Sequence, residues 1–250
     1  NTSLLLAFGG IPLKNGQISQ GGVGSHIQRD YLKKAALSGV KFINVSPLKS
    51  DLKTAGNTEW LPLKPNTDVA LMLALCYELY MAGMTNNGFI DRYTIGFEKF
   101  IGYLNGSSDG IIKSADWASK IIGVSKKVIL DLVDKIKNSQ RTMISVSWSL
   151  TRQSYGEQPY WAAIALASII GDIGKPGGGI GFGYSAMNSI GNHYNKIPAV
   201  SLPQGKNSIK KFIPVARISE MLERPGTSFD YNGSKLTYPE IRLIYWAGGN

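Results

Sequence analysis

The chain has 250 residues, 43% hydrophobic and 18% charged, a composition that should build a packed globular core. Its formal charge of +10 suits a nucleic acid, an anionic membrane or a phosphate-rich cofactor. The basic pairs Lys33-Lys34, Lys126-Lys127 and Lys210-Lys211 are scattered and form no stripe interleaved with aromatics, so no nucleic-acid partner is expected. The lone cysteine, Cys76, excludes an internal disulfide, and His26 and His193 have no partner at metal-ligand spacing, so no metal ligand is assigned.

In chain order, the apolar run 3–8 reads as a strand buried on both faces and ends in Gly9-Gly10. Ser25 is a candidate cap for a helix reaching Ser38, with Ile27, Tyr31, Leu32 and Ala35 on one face. Residues 40–45 form a second apolar strand, closed by Ser46-Pro47, which completes a parallel βαβ unit. Residues 59–63 read as a third strand. Thr67 then caps a helix to about residue 81 that is apolar nearly all round and therefore buried, Cys76 included. Its apolar run is too short to span a bilayer.

Further helices are expected at 87–93, 97–104, 114–122 and 125–137, then a strand at 141–147 and a small-residue helix at 159–170. Beyond Gly171 the sequence reads as loop up to Val215, with a short helix at 217–222 and a last strand at 243–247. The class is α/β: a mainly parallel, Rossmann-like sheet with helices on both faces. Residues 1–215 are expected to form one domain, and 216–250 a connector with the first strand of a second α/β domain. The chain opens directly before a strand and stops just after one, so it reads as an internal piece of a longer protein.

Open parallel sheets bind ligands beyond the carboxyl ends of their strands. Gly9 and Gly10 either make a plain tight turn or let backbone amides approach a pyrophosphate, with Lys14, Asn15 and Gln17 as donors. Ser46 stands where dinucleotide folds often place a ribose-binding acid, and it can donate to a phosphate or hydroxyl. Asp68 is either a helix-start acid or a carboxylate able to accept both donors on the Watson–Crick edge of guanine. Trp148, Arg152, Glu157 and Gln158 crowd one loop after a buried strand, at the ligand edge. The glycines of 171–183 suit close approach of the backbone to a flat, bulky ligand.

Taken together, Gly9-Gly10-Ile11-Pro12-Leu13-Lys14-Asn15 with Gln17, Pro65-Asn66-Thr67-Asp68, Trp148 to Gln158, Ile173 to Gly179 and Pro214-Val215-Ala216-Arg217 form a collinear series. The sequence resembles the molybdopterin-guanine-dinucleotide oxidoreductases of the dimethyl sulfoxide reductase family, on the side of the biotin sulfoxide and trimethylamine N-oxide reductases. The resemblance implies a molybdenum bis(molybdopterin guanine dinucleotide) cofactor shared between two pseudo-symmetric α/β domains. It implies that Gly9, Gly10, Lys14 and Gln17 line the cofactor, that Asp68 reads guanine, that Trp148, Arg152, Glu157 and Gln158 border the pterin and the site, and that Ser46 belongs to the same cofactor-binding set. Ser46, where other branches carry an acid, departs from the pattern. The implied activity is reduction of biotin sulfoxide, methionine sulfoxide or an amine N-oxide, with an unassigned electron donor, in the bacterial cytoplasm or periplasm. The molybdenum ligand and the remaining domains would come from elsewhere in the same polypeptide, so the isolated segment is expected to be inactive. The alternatives are a nucleotide-binding module of a nicotinamide or coenzyme A enzyme, disfavoured by the missing G-x-G-x-x-G, and a non-catalytic nucleic-acid or scaffold domain, suggested only by the charge.

Overall fold

Alternation along the first strand sets the layers. In β1 (Leu4–Phe8), Leu4, Leu6 and Phe8 turn to one side and join the main core. Ala7, with half-buried Leu5, turns to the other side and meets a smaller cluster. A strand apolar on both faces must be covered on both faces, which is the condition for a parallel sheet.

The computed structural model describes residues 1–15, 26–54, 56, 58–184 and 200–246. It divides into two compact units, 1–196 and 197–250. In the first, β1 pairs in parallel with β2 (Lys41–Val45) and β4 (Thr142–Val146). Outside these lie β3 (Thr58–Leu61) and β5 (Gly179–Phe182), also parallel, giving the order β3-β2-β1-β4-β5. This is the mainly parallel sheet expected, in Rossmann-like order, and strands 1, 2 and 4 end on one edge.

Helix α1 (Gln28–Leu37) covers one face by packing Leu32, Ala35 and Ala36 against Val40 and Phe42. Tyr31, assigned to that face, is instead half exposed, and Ser25 lies outside the described residues. The other face is covered by α2 (Asp68–Met81) with α4 (Phe97–Leu104), α5 (Ala115–Ile122), α6 (Lys126–Lys137) and α7 (Gln158–Ile170). The short α3 (Asn87–Tyr93) precedes α4. Helix α2 buries Ala70 to Cys76 and Leu79. Each buried Leu or Met there contributes roughly 1.5–3 kcal/mol. Burial pushes the Cys76 thiol far above its ordinary pKa, so it is an unreactive core group.

Thr67 occupies the N-cap position of α2 but does not cap it. Its hydroxyl donates back to the Lys64 carbonyl at 2.7 Å, and no helix amide donates to its oxygen.

Strand β5 contradicts the expected loop. Its Gly-Ile-Gly-Phe composition carries neither β-branched density nor clean alternation, and pairing with β4 overrides that weak signal. The glycines 177–179 lie at the start of β5, opposite the ligand edge. A Cβ on Gly177 would meet Thr2 N at 2.7 Å, and one on Gly178 would meet Arg141 Cδ at 2.6 Å. The chain's own packing explains them. Asp172 holds that corner: it accepts from Arg141 Nη1 at 2.7 Å and from the Thr142 amide at 3.0 Å.

The second unit is small. A single turn at Val215–Arg217 leads into α8 (Ile218–Glu223), then a hairpin of β6 (Ser228–Tyr231) and β7 (Ser234–Thr237). Met221, Phe229 and Tyr238 form its core. The strand expected at 243–247 is absent over 239–246, where no described segment offers ladder hydrogen bonds and Leu243 and Tyr245 are 86% and 89% exposed. Among the described residues, no helix is long and apolar enough to cross a membrane.

Candidate functional site: a cleft over the carboxyl edge of the sheet

The chain reverses its spreading direction between β1 and β4, and open α/β proteins bind ligands in the crevice at such a switch point. A cleft of about 270 Å³ opens there, lined by Gly9, Ser46, Leu48, Asp51, Asn66, Asp68, Ser149 and Leu150 among others. Three of the expected site residues, Gly9, Ser46 and Asp68, therefore converge from three separate segments.

The glycine turn is built for the protein's own loops. Gly9 has φ +78° and Gly10 φ +72°, so both need glycine. A Cβ on Gly9 would lie 2.6 Å from Leu150 Cδ1, and one on Gly10 would lie 2.5 Å from Asp51 Cβ. Their amides are also engaged, Gly9 with Val45 O at 2.9 Å and Gly10 with Ala7 O at 3.2 Å. The tight-turn reading of this pair therefore accounts for the geometry, and neither amide is free for a pyrophosphate.

Ser46 is buried, and its hydroxyl donates to Asp51 Oδ2 at 2.6 Å while accepting from the Leu48 amide at 3.2 Å. Its proton is thus used inside the protein, whereas the sequence left it available to a ligand. Sequence reasoning missed Asp51. The signal was present as an acid five residues past the strand-end serine, but only the fold of the 46–51 turn brings it back.

Asp68 sits half-buried at the start of α2, and burial raises its carboxyl to about 6, with its own backbone amide pulling the other way. The preceding Asn66 adopts φ 64°, a left-handed conformation that turns the chain into the helix at the cleft wall. Two carboxylates in one small cleft make it rich in acceptors. It suits a ligand that presents N–H and O–H groups, and it repels phosphate.

The loop after β4 folds on itself. Ser147 Oγ accepts from the Ser149 amide at 3.4 Å, Gln153 Nε2 donates to Leu150 O at 2.8 Å, and Gly156 lies against the Thr151 carbonyl, where no Cβ fits. Trp148 is 38% exposed and stacks on Phe182 with ring centroids 6.0 Å apart. Tyr160 donates its hydroxyl to Ser147 O at 3.0 Å and fixes the turn to α7. Ser149 and Leu150 reach the cleft, but Trp148, Arg152, Glu157 and Gln158 do not line it. Arg152 and Glu157 are exposed, and Gln158 is the first residue of α7. Lys14 is exposed and outside the cleft lining, and Gln17 lies outside the described residues.

The sheet order and the position of this cleft define an α/β domain of the Rossmann-like kind with a cleft at its switch point. The profile of the molybdopterin oxidoreductase family matches residues 1–248, and the chain belongs to that family. It is 44% identical over 252 residues to biotin sulfoxide reductase of Cereibacter sphaeroides, covering 100% of this chain and 34% of that protein. It is 40% identical over 234 residues to trimethylamine-N-oxide reductase of Haemophilus influenzae, covering 88% of this chain and 28% of that protein. The chain thus spans about a third of the length of the curated relatives it matches. The fold is shared with acetylene hydratase from Pelobacter acetylenicus at a TM-score of 0.52 and 21% identity, over 70% of this chain and 22% of that one.

Proposed function

We propose that this chain forms a cofactor-binding domain of a molybdenum-dependent reductase of S-oxides or N-oxides, and that its cleft holds the guanosine end of a molybdopterin guanine dinucleotide. The observation that carries the reading is the convergence of Asp51 and Asp68 on one cleft at the switch point of a sheet belonging to this family. A guanine base presents two adjacent N–H donors, and one carboxylate accepts both. Burial raises the Asp68 carboxyl to about 6 and so disfavours its charge, and those donors would offset that cost by hydrogen-bonding the ionised form. The acceptor-rich wall favours a nucleoside over a phosphate, so the pyrophosphate would run outward from the cleft. The exposed Lys14 and Arg152 are available to it.

When bound, the molybdenum centre supplies the Lewis acid and the electron pair for removing oxygen from the substrate. This chain's share is to fix the cofactor. Asp68 sets the base, the turn at Gly9 brings Leu150 against the cleft floor, and Tyr160 holds the loop carrying Trp148. The rest of the polypeptide would provide the second cofactor cradle, the protein ligand to molybdenum and the docking face for an electron donor. Biotin sulfoxide, methionine sulfoxide and trimethylamine N-oxide are the candidate substrates.

The test uses the full-length protein purified from a host that makes the cofactor. Molybdenum by mass spectrometry, guanine nucleotide released by acid, and reduced-viologen oxidation with each oxide are measured together. The proposal expects molybdenum, guanine nucleotide and turnover with at least one oxide. Absence of molybdenum, or of turnover with every oxide, contradicts it.

A further inference from the structure

Dinucleotide-binding α/β domains commonly end their second strand in an acid that hydrogen-bonds the ribose hydroxyls. Here that position is Ser46, whose hydroxyl proton is already directed at Asp51 Oδ2, 2.6 Å away. An ionised carboxylate has about four lone-pair sites, so Ser46 leaves roughly three free. Asp51 Oδ1 has no donor among the described residues. We propose that Asp51, held in place by Ser46, is the carboxylate that accepts the ribose hydroxyls of the guanosine in this cleft. The proposal rests on the guanosine reading above.

The carboxylate is positioned before any ligand arrives. Its residue closes a single helical turn, Lys49–Asp51, in which the Asp51 amide donates to Leu48 O at 3.2 Å. The Asp51 carbonyl accepts from the Ile11 amide at 2.8 Å, which ties the turn to the segment after β1. The buried Asn44 side chain donates to the carbonyls of Leu48 at 3.1 Å and Lys49 at 3.3 Å, which ties the same turn to β2. Gly10 lets the two segments touch, since a Cβ there would meet both Asp51 Cβ and, at 2.7 Å, Asp51 O. These contacts fix the backbone of the turn, and the Ser46 hydroxyl holds the Asp51 carboxylate, so the residue has little freedom to lose on binding, which is the condition for a specific hydrogen bond to be worth its full value. Ser46 is therefore a positioning residue for Asp51.

The experiment titrates cofactor-free full-length protein, by calorimetry, with guanosine 5′-monophosphate and with its 2′,3′-dideoxy analogue, which lacks the diol. Wild type should prefer the ribonucleotide about tenfold, the value of one charge-assisted hydrogen bond. Asp51→Asn should bring the preference close to one and leave affinity for the dideoxy analogue unchanged. Ser46→Ala keeps the carboxylate and releases its tether, so it should lose part of the preference; it also serves as the second variant should Asp51→Asn fail to fold. Asp68→Ala should weaken both nucleotides equally. If both nucleotides bind in an Asp68-dependent way but wild type does not distinguish them, or if Asp51→Asn or Ser46→Ala keeps the full preference, the Asp51 assignment falls and the guanosine reading stands. If neither nucleotide binds wild type, both fall.

Discussion

Replacing Asp68 with asparagine should stabilise the cofactor-free protein near neutral pH and leave it unchanged near pH 4. Burial lifts the folded-state pKa of Asp68 from 3.8 to about 6. Between those values the folded protein holds a proton that the unfolded chain has lost, so stability is present at low pH and falls as pH rises through 6. A shift of about two units at 1.36 kcal/mol each gives a penalty of at most about 3 kcal/mol at pH 7. The carboxylate is only partly buried, and asparagine gives up about 0.3–1 kcal/mol of favourable interaction with the α2 N-terminus, so the net gain should be about 1–2 kcal/mol. Urea unfolding of both proteins at pH 4, 5, 6, 7 and 8 measures it, because the difference between the curves cancels every other titrating group. The gain should emerge between pH 4 and 7 and then level off. An advantage that persists at pH 4, or none at pH 7, would refute the idea that burial destabilises an ionised Asp68 in the cofactor-free protein.

Gly9→Ala forces a left-handed residue to carry a methyl group 2.6 Å from Leu150 Cδ1 and 2.7 Å from Ser147 Cβ, and should destabilise the fold by about 2 kcal/mol or more in urea melts. Asp172→Ala leaves Arg141 and the Thr142 amide without their acceptor at the base of β4, and should cost about 2–4 kcal/mol, with unchanged guanine-nucleotide affinity because that corner lies opposite the cleft. Tyr160→Phe removes the hydroxyl that reaches Ser147 O; a loss of about 1 kcal/mol with faster proteolysis in the 147–158 loop is expected, and an unchanged cleavage rate would show that the loop is held by packing alone.

The elements legible in the sequence were those with a strong local signature. The double-sided apolar run of β1 and the all-round apolar α2 fell within a residue or so of their expected limits. Strand β5 was illegible because glycines have no side chains from which a period can be read, and only tertiary pairing makes them a strand. The β6–β7 hairpin could have been found, since Asn232-Gly233 at φ 48° and 75° is the dipeptide that a tight hairpin turn selects. At the site, Asp68 was legible from its place at a helix start after Pro65-Asn66-Thr67. Asp51 was not, because its relation to Ser46 and Gly10 exists only once the 46–51 turn is folded. The glycine runs carried a different meaning from the one their density suggested. At Gly9, Gly10, Gly177 and Gly178 the close approach is made by the chain's own loops.

The most direct measurement is a crystal or cryo-electron microscopy structure of the full-length protein with its cofactor bound. The account predicts a guanine whose N–H edge faces the Asp68 carboxylate at hydrogen-bond distance, with its ribose against Asp51 and its pyrophosphate outside the cleft. A pyrophosphate seated between Gly9 and Asp68, or a guanosine bound elsewhere with this cleft empty, would contradict it.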